Sequence, residues 1–326
     1  MVNIEHLTTE VCWTILAIVG LLLVASLAIF FLRRRVSERA STELAQRIKT
    51  WWGIFGLMAG ALLIGPRAIP WLFALVSFLA MREFLALVSP RPADTAAHFW
   101  AYLSIPMQYL WVSLQWYGMF IIFVPVYVSL LVPARLAIHG ETQGFVRATA
   151  SINWGALLTV FGLSHAAYLV GLTPVANPRV ASAWLGAEAA TYPGIGLLVL
   201  LLLLTELNDV AQFIWGKSLG YRKVAPKVSP GKTWAGLLGG VGTTIVLATL
   251  LGPLLTPMNY LFSALAGAII GIFGSLGDLC ISALKRDANV KDTGNLLPGH
   301  GGILDRIDSL TFTAPLFFHF VHYCWF

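Results

Sequence analysis

Long apolar runs alternate with short polar segments along most of the 326 residues. Ten runs come close to the roughly 20 apolar residues that a helix needs to cross a bilayer. Each backbone polar group in lipid must be satisfied within its own segment, so these runs predict helices. The predicted spans are 12–32, 50–65, 68–88, 98–114, 117–133, 150–171, 192–214, 235–254, 258–283 and 308–325. The predicted fold class is therefore all-α, a polytopic transmembrane helical bundle of nine or ten spans.

Composition supports a membrane protein, because 58% of the residues are hydrophobic and 11% are charged. Soluble domains carry about 25% charged residues. Cys12, Cys280 and Cys324 lie in or beside apolar runs without zinc-like spacing, so we interpret them as small hydrophobes. The formal charge of +6 fits basic loops beside membrane helices, and we expect no nucleic-acid partner.

The distribution of charge predicts the orientation. The first span is preceded by Glu5 and Glu10 and followed by the basic run 33–35, so its N-terminus should lie outside. Alternating ten spans from there places 19 of the 21 lysines and arginines inside, all except Arg67 and Arg179. The first span lacks a basic leading region and a cleavage site, which favours a membrane anchor over a cleaved signal peptide.

Two regions of the chain differ in chemical content. Residues 1–190 read as N-terminal transmembrane helices, and residues 191–326 as a C-terminal transmembrane catalytic region with two cytoplasmic loops, 215–234 and 284–307. These two loops carry nine of the 21 lysines and arginines and adjoin spans with acidic residues near their inner ends. We therefore place the chemistry in the C-terminal region.

Three acids lie within predicted spans. Glu206 and Asp209 share a helix face near the inner end of span seven, and Asp278 lies near the inner end of span nine. Ionised carboxylates at membrane depth are costly, which favours a functional role, although an ion pair that locks helices is the alternative. Ser282 and Lys285 follow Asp278 on the same helical face.

The segment KDTGNLLPGHGGILDRID, residues 291–308, continues that polar face. Asp305 and Asp308 are close enough to share a divalent cation if a helix has begun there, while Asp308 could instead be an acid at a helix N-terminus. Its glycines can present N–H groups to an anion. His300 is better suited to donating to phosphate or bracing the loop than to acting as a general base.

These residue types favour phosphoryl or nucleotidyl transfer. A phosphomonoester is mostly dianionic at neutral pH and needs charge neutralisation more than a base. Carboxylate oxygens suit Mg²⁺, and no His/Cys cluster suggests zinc. In the other loop, Gly231-Lys232-Thr233 invites a P-loop interpretation, but Pro226 stands where that motif needs glycine and no strand precedes it. We interpret 229–234 as a basic, proline-kinked segment.

The C-terminal motif resembles the signature of the phosphatidate cytidylyltransferases, also called CDP-diglyceride synthases. That signature has thirteen constrained positions. This chain fills them with Ser282, Lys285, Arg286, Lys291, Asp292, Gly294, Pro298, His300, Gly301, Gly302, Asp305, Arg306 and Asp308. The resemblance covers roughly the last 120 residues well and the first part only in general character.

The resemblance implies Mg²⁺-dependent transfer of a cytidylyl group from CTP to phosphatidate, giving CDP-diacylglycerol and pyrophosphate in phospholipid biosynthesis. It implies Asp278 and Asp305 as metal ligands, with Asp308 as a helper, and leaves a second cation open. The implied catalytic residues are Asp278, Asp305, Lys285, Arg286 and Lys291. The implied substrate-binding residues are Ser229, Lys232, Thr233, Ser282, Asp292, His300, Gly301, Gly302, Arg306 and Asp209.

The expected partners are CTP, phosphatidate and the lipid bilayer, in a bacterial-type inner membrane with a cytoplasmic active face; a homodimer is left open. Three positions depart from the family pattern, at Gln212, Ala235 and Ile281. A slow or divergent paralogue that uses another phospholipid acceptor therefore stays an alternative. An ion-coupled transporter is the rival from another class, but its acids should lie near the bilayer midplane, whereas these lie at inner helix ends.

Overall fold

The computed structural model describes residues 7–32, 38–88, 95–140, 142–172, 194–299 and 301–325. Within them lie ten continuous helical segments. These are α1 (Thr9–Leu32), α2 (Glu38–Ile64), α3 (Ala68–Val88), α4 (Thr95–Ser113), α5 (Tyr117–Ile138), α6 (Phe145–Ala156, Leu157–Gly162 and Leu163–Leu169), α7 (Gly194–Leu219), α8 (Trp234–Leu255), α9 (Tyr260–Asp287) and α10 (Leu304–Trp325). The middle part of α6 and residues Phe123–Val128 of α5 are π-helical.

Each predicted span coincides with one of these helices, so the all-α transmembrane fold class is confirmed. Among the described residues, six helices are long and apolar enough to cross a membrane: α1, α3, α5, α7, α8 and α9. The chain is thus a multi-pass membrane protein. The break between α2 and α3 falls at Gly65, whose φ of 129° is open to glycine and strained for other residues. The outside position of the N-terminus stays a prediction.

The loop 215–234 contains an element that the sequence did not predict. Strands β1 (Lys223–Ala225) and β2 (Ser229–Thr233) pair antiparallel, and this hairpin is the one sheet among the described residues. The triplet 231–233 lies within β2, not in a loop after a strand, which excludes a P-loop. Thr233 then ends the strand and begins α8, because its hydroxyl accepts a hydrogen bond from the Gly236 amide at 3.1 Å.

Four C-terminal helices pack against one another in chain order, from α7 to α10. Glycines allow the backbones to approach closely, as at Gly267, where an added Cβ would lie 2.6 Å from the Ala248 side chain. Helix α10 also contacts α3 and α6 from the N-terminal region. The helix that begins at the end of the signature motif therefore lies between the two regions of the chain.

Candidate active site at one end of three helices

Three carboxylates from three helices meet near one end of the bundle. Asp278 on α9 acts electrostatically on both Asp209 on α7 and Asp308 on α10, and Asp209 also acts on Asp308; we call these three residues the acid cluster. Asp308 is 7% exposed. Among the described residues, no three acidic, histidine or cysteine side chains are grouped tightly enough to hold a metal ion. The acid cluster therefore concentrates negative charge, but its carboxylates are too far apart in this structure to coordinate one metal ion together.

The hairpin brings a cation to this charge. Lys232 on β2 places its Nζ 2.7 Å from Asp278 Oδ2 and donates to the Ser275 carbonyl at 3.2 Å. Ser282 donates its hydroxyl to Asp278 Oδ1 at 3.1 Å. Asp278 thus contacts two of the predicted site residues, Ser282 on its own helix and Lys232 from the other polar loop.

The two polar loops also touch each other. Arg286, at the end of α9, donates its Nε to the Val228 carbonyl in the hairpin turn at 3.2 Å, and Nη1 to the Val290 carbonyl at 3.3 Å. These carbonyl partners orient the guanidinium without neutralising it. The structure therefore joins the loops 215–234 and 284–307 into one basic surface beside the acid cluster.

Asp209 is held by hydroxyl and amide groups. Ser309 donates to its Oδ2 at 3.2 Å, and Gln212 approaches Oδ1 at 3.5 Å. Arg306 acts electrostatically on Asp209 and on Glu206, which lies almost one turn earlier on α7. The Nε atom of Arg306 is buried and has no hydrogen-bond partner among the described residues. Arg306 can therefore donate to a bound anion at the edge of the acid cluster.

Asp305 differs from Asp308 although only three residues separate them. Its Oδ1 accepts from Lys285 Nζ at 2.8 Å, and its Oδ2 accepts from the Thr293 amide and hydroxyl and from the Gly302 amide at 2.8, 3.0 and 2.9 Å. Asp305 precedes the predicted span that starts at 308. Burial raises the pKa of this carboxyl, but the hydrogen bonds outweigh it and hold the pKa below its usual value.

Both oxygens of Asp305 are thus already engaged within the protein, and its predicted role as a metal ligand stays a prediction. The neighbouring glycines make this close contact feasible. Gly301 has a φ of 82°, and a Cβ there would lie 2.7 Å from Asp305 Oδ2. The predicted loop glycines therefore allow the loop to fold around a carboxylate of the chain itself.

Sequence reasoning missed Glu83, which faces the same loop from α3. It is 6% exposed, and its carboxylate accepts from the Thr293 hydroxyl at 3.1 Å, the Ile303 amide at 3.0 Å and the Leu304 amide at 2.9 Å. A lone acid inside the predicted span 68–88 was the available signal. We call Glu83, Thr293 and Asp305 the loop clamp.

Helix α2 holds the tip of the same loop. Thr50 donates its hydroxyl to the Pro298 carbonyl at 2.9 Å, and the Leu297 amide donates to the Gly301 carbonyl to close the turn. Gly299, with a φ of 77°, lies against the side chains of α2, where a Cβ would come within 3.2 Å of Gln46. The loop is therefore fastened to α2 and α3 as well as to its own flanking helices.

The remaining predicted residues lie farther from the acid cluster or are committed elsewhere. Lys291 and Asp292 are exposed, Ser229 is half-buried in β2, and the Thr233 hydroxyl caps α8. Substrate contacts of these residues stay predictions. His300 lies outside the described residues. Of the three departures from the family pattern, Ile281 is fully buried, and Gln212 and Ala235 are half-buried.

A model of the cytidylyltransferase family matches residues 45–324. The chain belongs to this family. The resemblance stated from the C-terminal motif is thereby confirmed, as is the enzyme class, and membership favours an enzyme over the ion-coupled transporter. The match to this family, together with the matches to proteins named phosphatidate cytidylyltransferase, supports CTP-dependent cytidylyl transfer as the activity.

Individual relatives differ in how much of their length this chain spans. Uncharacterized protein YnbB of Escherichia coli (strain K12) is 47% identical over 312 residues, which cover 94% of this chain and 96% of that protein. The phosphatidate cytidylyltransferase of Bacillus subtilis (strain 168) is 48% identical over 112 residues, covering 34% and 42%. That of Haemophilus influenzae (strain ATCC 51907 / DSM 11121 / KW20 / Rd) is 43% identical over 138 residues, covering 40% and 46%. The matches to these two transferases thus span less than half of each.

Proposed function

We propose that the protein transfers a cytidylyl group from CTP to phosphatidate, giving CDP-diacylglycerol and pyrophosphate. One observation carries the proposal: the acid cluster, Lys232 and the basic loops lie together at one end of α7, α9 and α10. Matches to proteins named phosphatidate cytidylyltransferase support the choice of CTP and phosphatidate.

In the proposed reaction, a phosphate oxygen of phosphatidate attacks the α-phosphorus of CTP and forms a new P–O bond. The bond from that phosphorus to the bridging oxygen breaks, and its electron pair leaves with pyrophosphate. The attacking phosphate is largely dianionic near neutral pH, because its second pKa is about 6, so it needs no general base. Positioning and charge neutralisation therefore decide the rate.

The cations have distinct places in this proposal. Arg286 and Lys291, which are exposed, would meet the triphosphate as it arrives from the aqueous side. Lys232 and Arg306 lie deeper and would neutralise phosphate oxygens beside the acid cluster. Lys285 is paired with Asp305 and would act chiefly by holding the loop. This graded arrangement would draw the nucleotide from the surface to the reacting position.

The residues present fit a Mg²⁺ ion by their donor chemistry. Three carboxylates repel one another in the acid cluster, and a hard divalent cation is the partner that relieves such repulsion. We propose Asp278 and Asp308, with Asp209, as its ligands. When bound, the ion would supply neutralisation of phosphate oxygens. We leave Asp305 out because two backbone amides, the Thr293 hydroxyl and Lys285 fix it within the loop, whereas Asp278 is held only by the side chains of Lys232 and Ser282. A second cation stays a prediction without an assigned donor set.

We also propose that the site faces the cytoplasm from a bacterial-type inner membrane, because the positive-inside rule assigns the two basic loops to that side. Phosphatidate would then reach the acid cluster from the inner leaflet. A homodimer stays a prediction. A different phosphomonoester lipid is the second candidate acceptor, because Ile281 departs from the family pattern and the named transferases match only part of the chain.

The test is a reconstituted assay. Protein purified in mild detergent is given CTP, Mg²⁺ and phosphatidate in mixed micelles, and both pyrophosphate and the lipid product are measured. Product that disappears without CTP, without phosphatidate or with a chelator supports the proposal. Product from another phosphomonoester lipid alone supports the second acceptor. Absence of product with all four nucleoside triphosphates and both acceptors, from folded protein, contradicts cytidylyl transfer to lipid.

A further inference from the structure

The loop between α9 and α10, residues 288–303, is anchored to a helix from the opposite region of the chain. Glu83 on α3 lies 210 residues from Thr293 and 221 residues from Leu304 in sequence, yet it accepts hydrogen bonds from both. A third comes from the Ile303 amide. Two of the three donors are backbone groups, so Glu83 binds the path of the loop itself.

The loop backbone is shaped to admit this carboxylate. A Cβ added at Gly294 would lie 2.8 Å from Glu83 Oε1, and one at Gly302 would lie 2.3 Å from Oε2. Such separations do not occur between real atoms without movement, so a side chain at either position would displace the Glu83 carboxylate from its place against the loop. The two glycines and the acid therefore form one fitted contact, although only the glycines belong to the signature motif.

Two series of hydrogen bonds connect Glu83 to residues of the candidate site. The Thr293 hydroxyl lies within hydrogen-bond distance of both Glu83 and Asp305, and Asp305 pairs with Lys285. The Ile303 and Leu304 amides open α10, so fixing them fixes the first turn of that helix. That turn carries Asp308 into the acid cluster.

We propose that Glu83 is a positioning residue for cytidylyl transfer: it holds the loop 288–303 and the start of α10, so that Asp308 keeps its place in the acid cluster and the Lys285–Asp305 pair keeps the loop in register. This inference rests on the proposed function for its kinetic readout. Glu83 touches none of the groups proposed to bind substrate except through Thr293, Asp305 and the backbone. Its effect should therefore appear in the rate of reaction more than in the binding of CTP.

The first test compares Glu83→Gln with Arg82→Gln, a change of charge at the adjacent, exposed position on α3. Glutamine keeps the shape but turns an N–H group toward donors. We expect faster hydrogen exchange in peptides spanning 293–304, and a kcat lowered by about 100-fold, the cost of a misplacement near 1 Å, with the KM for CTP nearly unchanged. Arg82→Gln should match wild type in exchange, kcat and KM.

Hydrogen exchange separates this inference from the proposed function, because it needs no turnover. If wild-type protein makes no CDP-diacylglycerol but Glu83→Gln still accelerates exchange at 303–304, the anchoring stands and the proposed function fails. If exchange and kcat both match wild type, the inference is overturned. A higher KM for CTP at unchanged kcat would also overturn it, because that pattern describes substrate binding.

A double-mutant cycle covers the case in which Glu83→Gln merely unfolds the protein. The three heavy atoms nearest to a Cβ at Gly294 all belong to Glu83. Gly294→Ala should therefore lower kcat in the wild-type background and have little further effect in Glu83→Ala, where that side chain is gone. Losses that multiply in the double variant would show that the two residues act independently, and would overturn the fitted contact.

Discussion

Two groups of carboxylates lie at the same end of the bundle and differ in what surrounds them. In the acid cluster, the charges of Asp209, Asp278 and Asp308 lie close together, and among the described residues Lys232 forms an ion pair with one of them, Asp278. In the loop clamp, Glu83 and Asp305 each accept at least three hydrogen bonds, including backbone amides.

The difference assigns different roles to identical functional groups. A carboxylate whose lone pairs are filled by backbone donors is fixed in place and has little capacity left for a cation. Carboxylates that repel one another retain that capacity and gain from binding one. We therefore interpret the loop clamp as structural support and the acid cluster as the centre of chemistry.

The largest effect should come from the acid cluster. Asp278→Asn removes a charge that contacts both Lys232 and Ser282, and we expect CDP-diacylglycerol formation to fall by roughly 10³-fold with little change in folding, as for groups that act on transition-state charge. Asp287→Asn, at the exposed end of the same helix, is the matched control and should be near wild type. Equal losses in both variants would remove the distinction.

The next effect concerns the ion pair of the clamp. Lys285→Gln leaves Asp305 buried without its cation, so we expect the free energy of unfolding to fall by about 3 kcal/mol, together with activity. Adding Asp305→Asn should restore part of the stability and none of the activity. The free energy of unfolding is measured by denaturant-induced unfolding in detergent, and activity by CDP-diacylglycerol formation. Restored activity in the double variant would contradict a positioning role for this pair.

A smaller effect is expected where the two clamp acids meet. Thr293→Val removes the hydroxyl that contacts both Glu83 and Asp305 but leaves the backbone amide, and activity should fall by about tenfold, as for outer-shell partners. Thr293→Ser keeps the hydroxyl and should retain most of the activity. If valine and serine behave alike in the assay, the hydroxyl does not connect the two acids.

The smallest effect should come from α2. Thr50→Val deletes a hydroxyl hydrogen bond to the Pro298 carbonyl at the loop tip, which is worth about 1 kcal/mol. We expect a modest drop in unfolding temperature and faster hydrogen exchange confined to 296–301. A loss of activity as large as that of Thr293→Val would mean that the loop tip, and not its base, controls the site.

Much of this arrangement could be predicted from the sequence. Long apolar runs located the helices, including the break at Gly65, because the length of a span depends on bilayer thickness and helix rise. The signature motif identified the family, and the acids near the ends of spans seven and nine identified which end of the bundle carries the polar loops. The hairpin at 223–233 escaped prediction because its short strands lack the alternating apolar pattern that strands usually show.

The sequence by itself determined that the chain crosses a membrane several times and which residues could carry charge to a phosphate site. Only the tertiary structure decided that Asp305 and Asp308, three positions apart, have different surroundings, and that Glu83 lies with the first of them. The physical reason is that sequence spacing reports which helix face a residue occupies, while the role of a carboxylate depends on the donors around it. The donors to Asp305 lie within 20 residues of it, but those to Glu83 lie 210 and 221 residues away, and only packing brings them together.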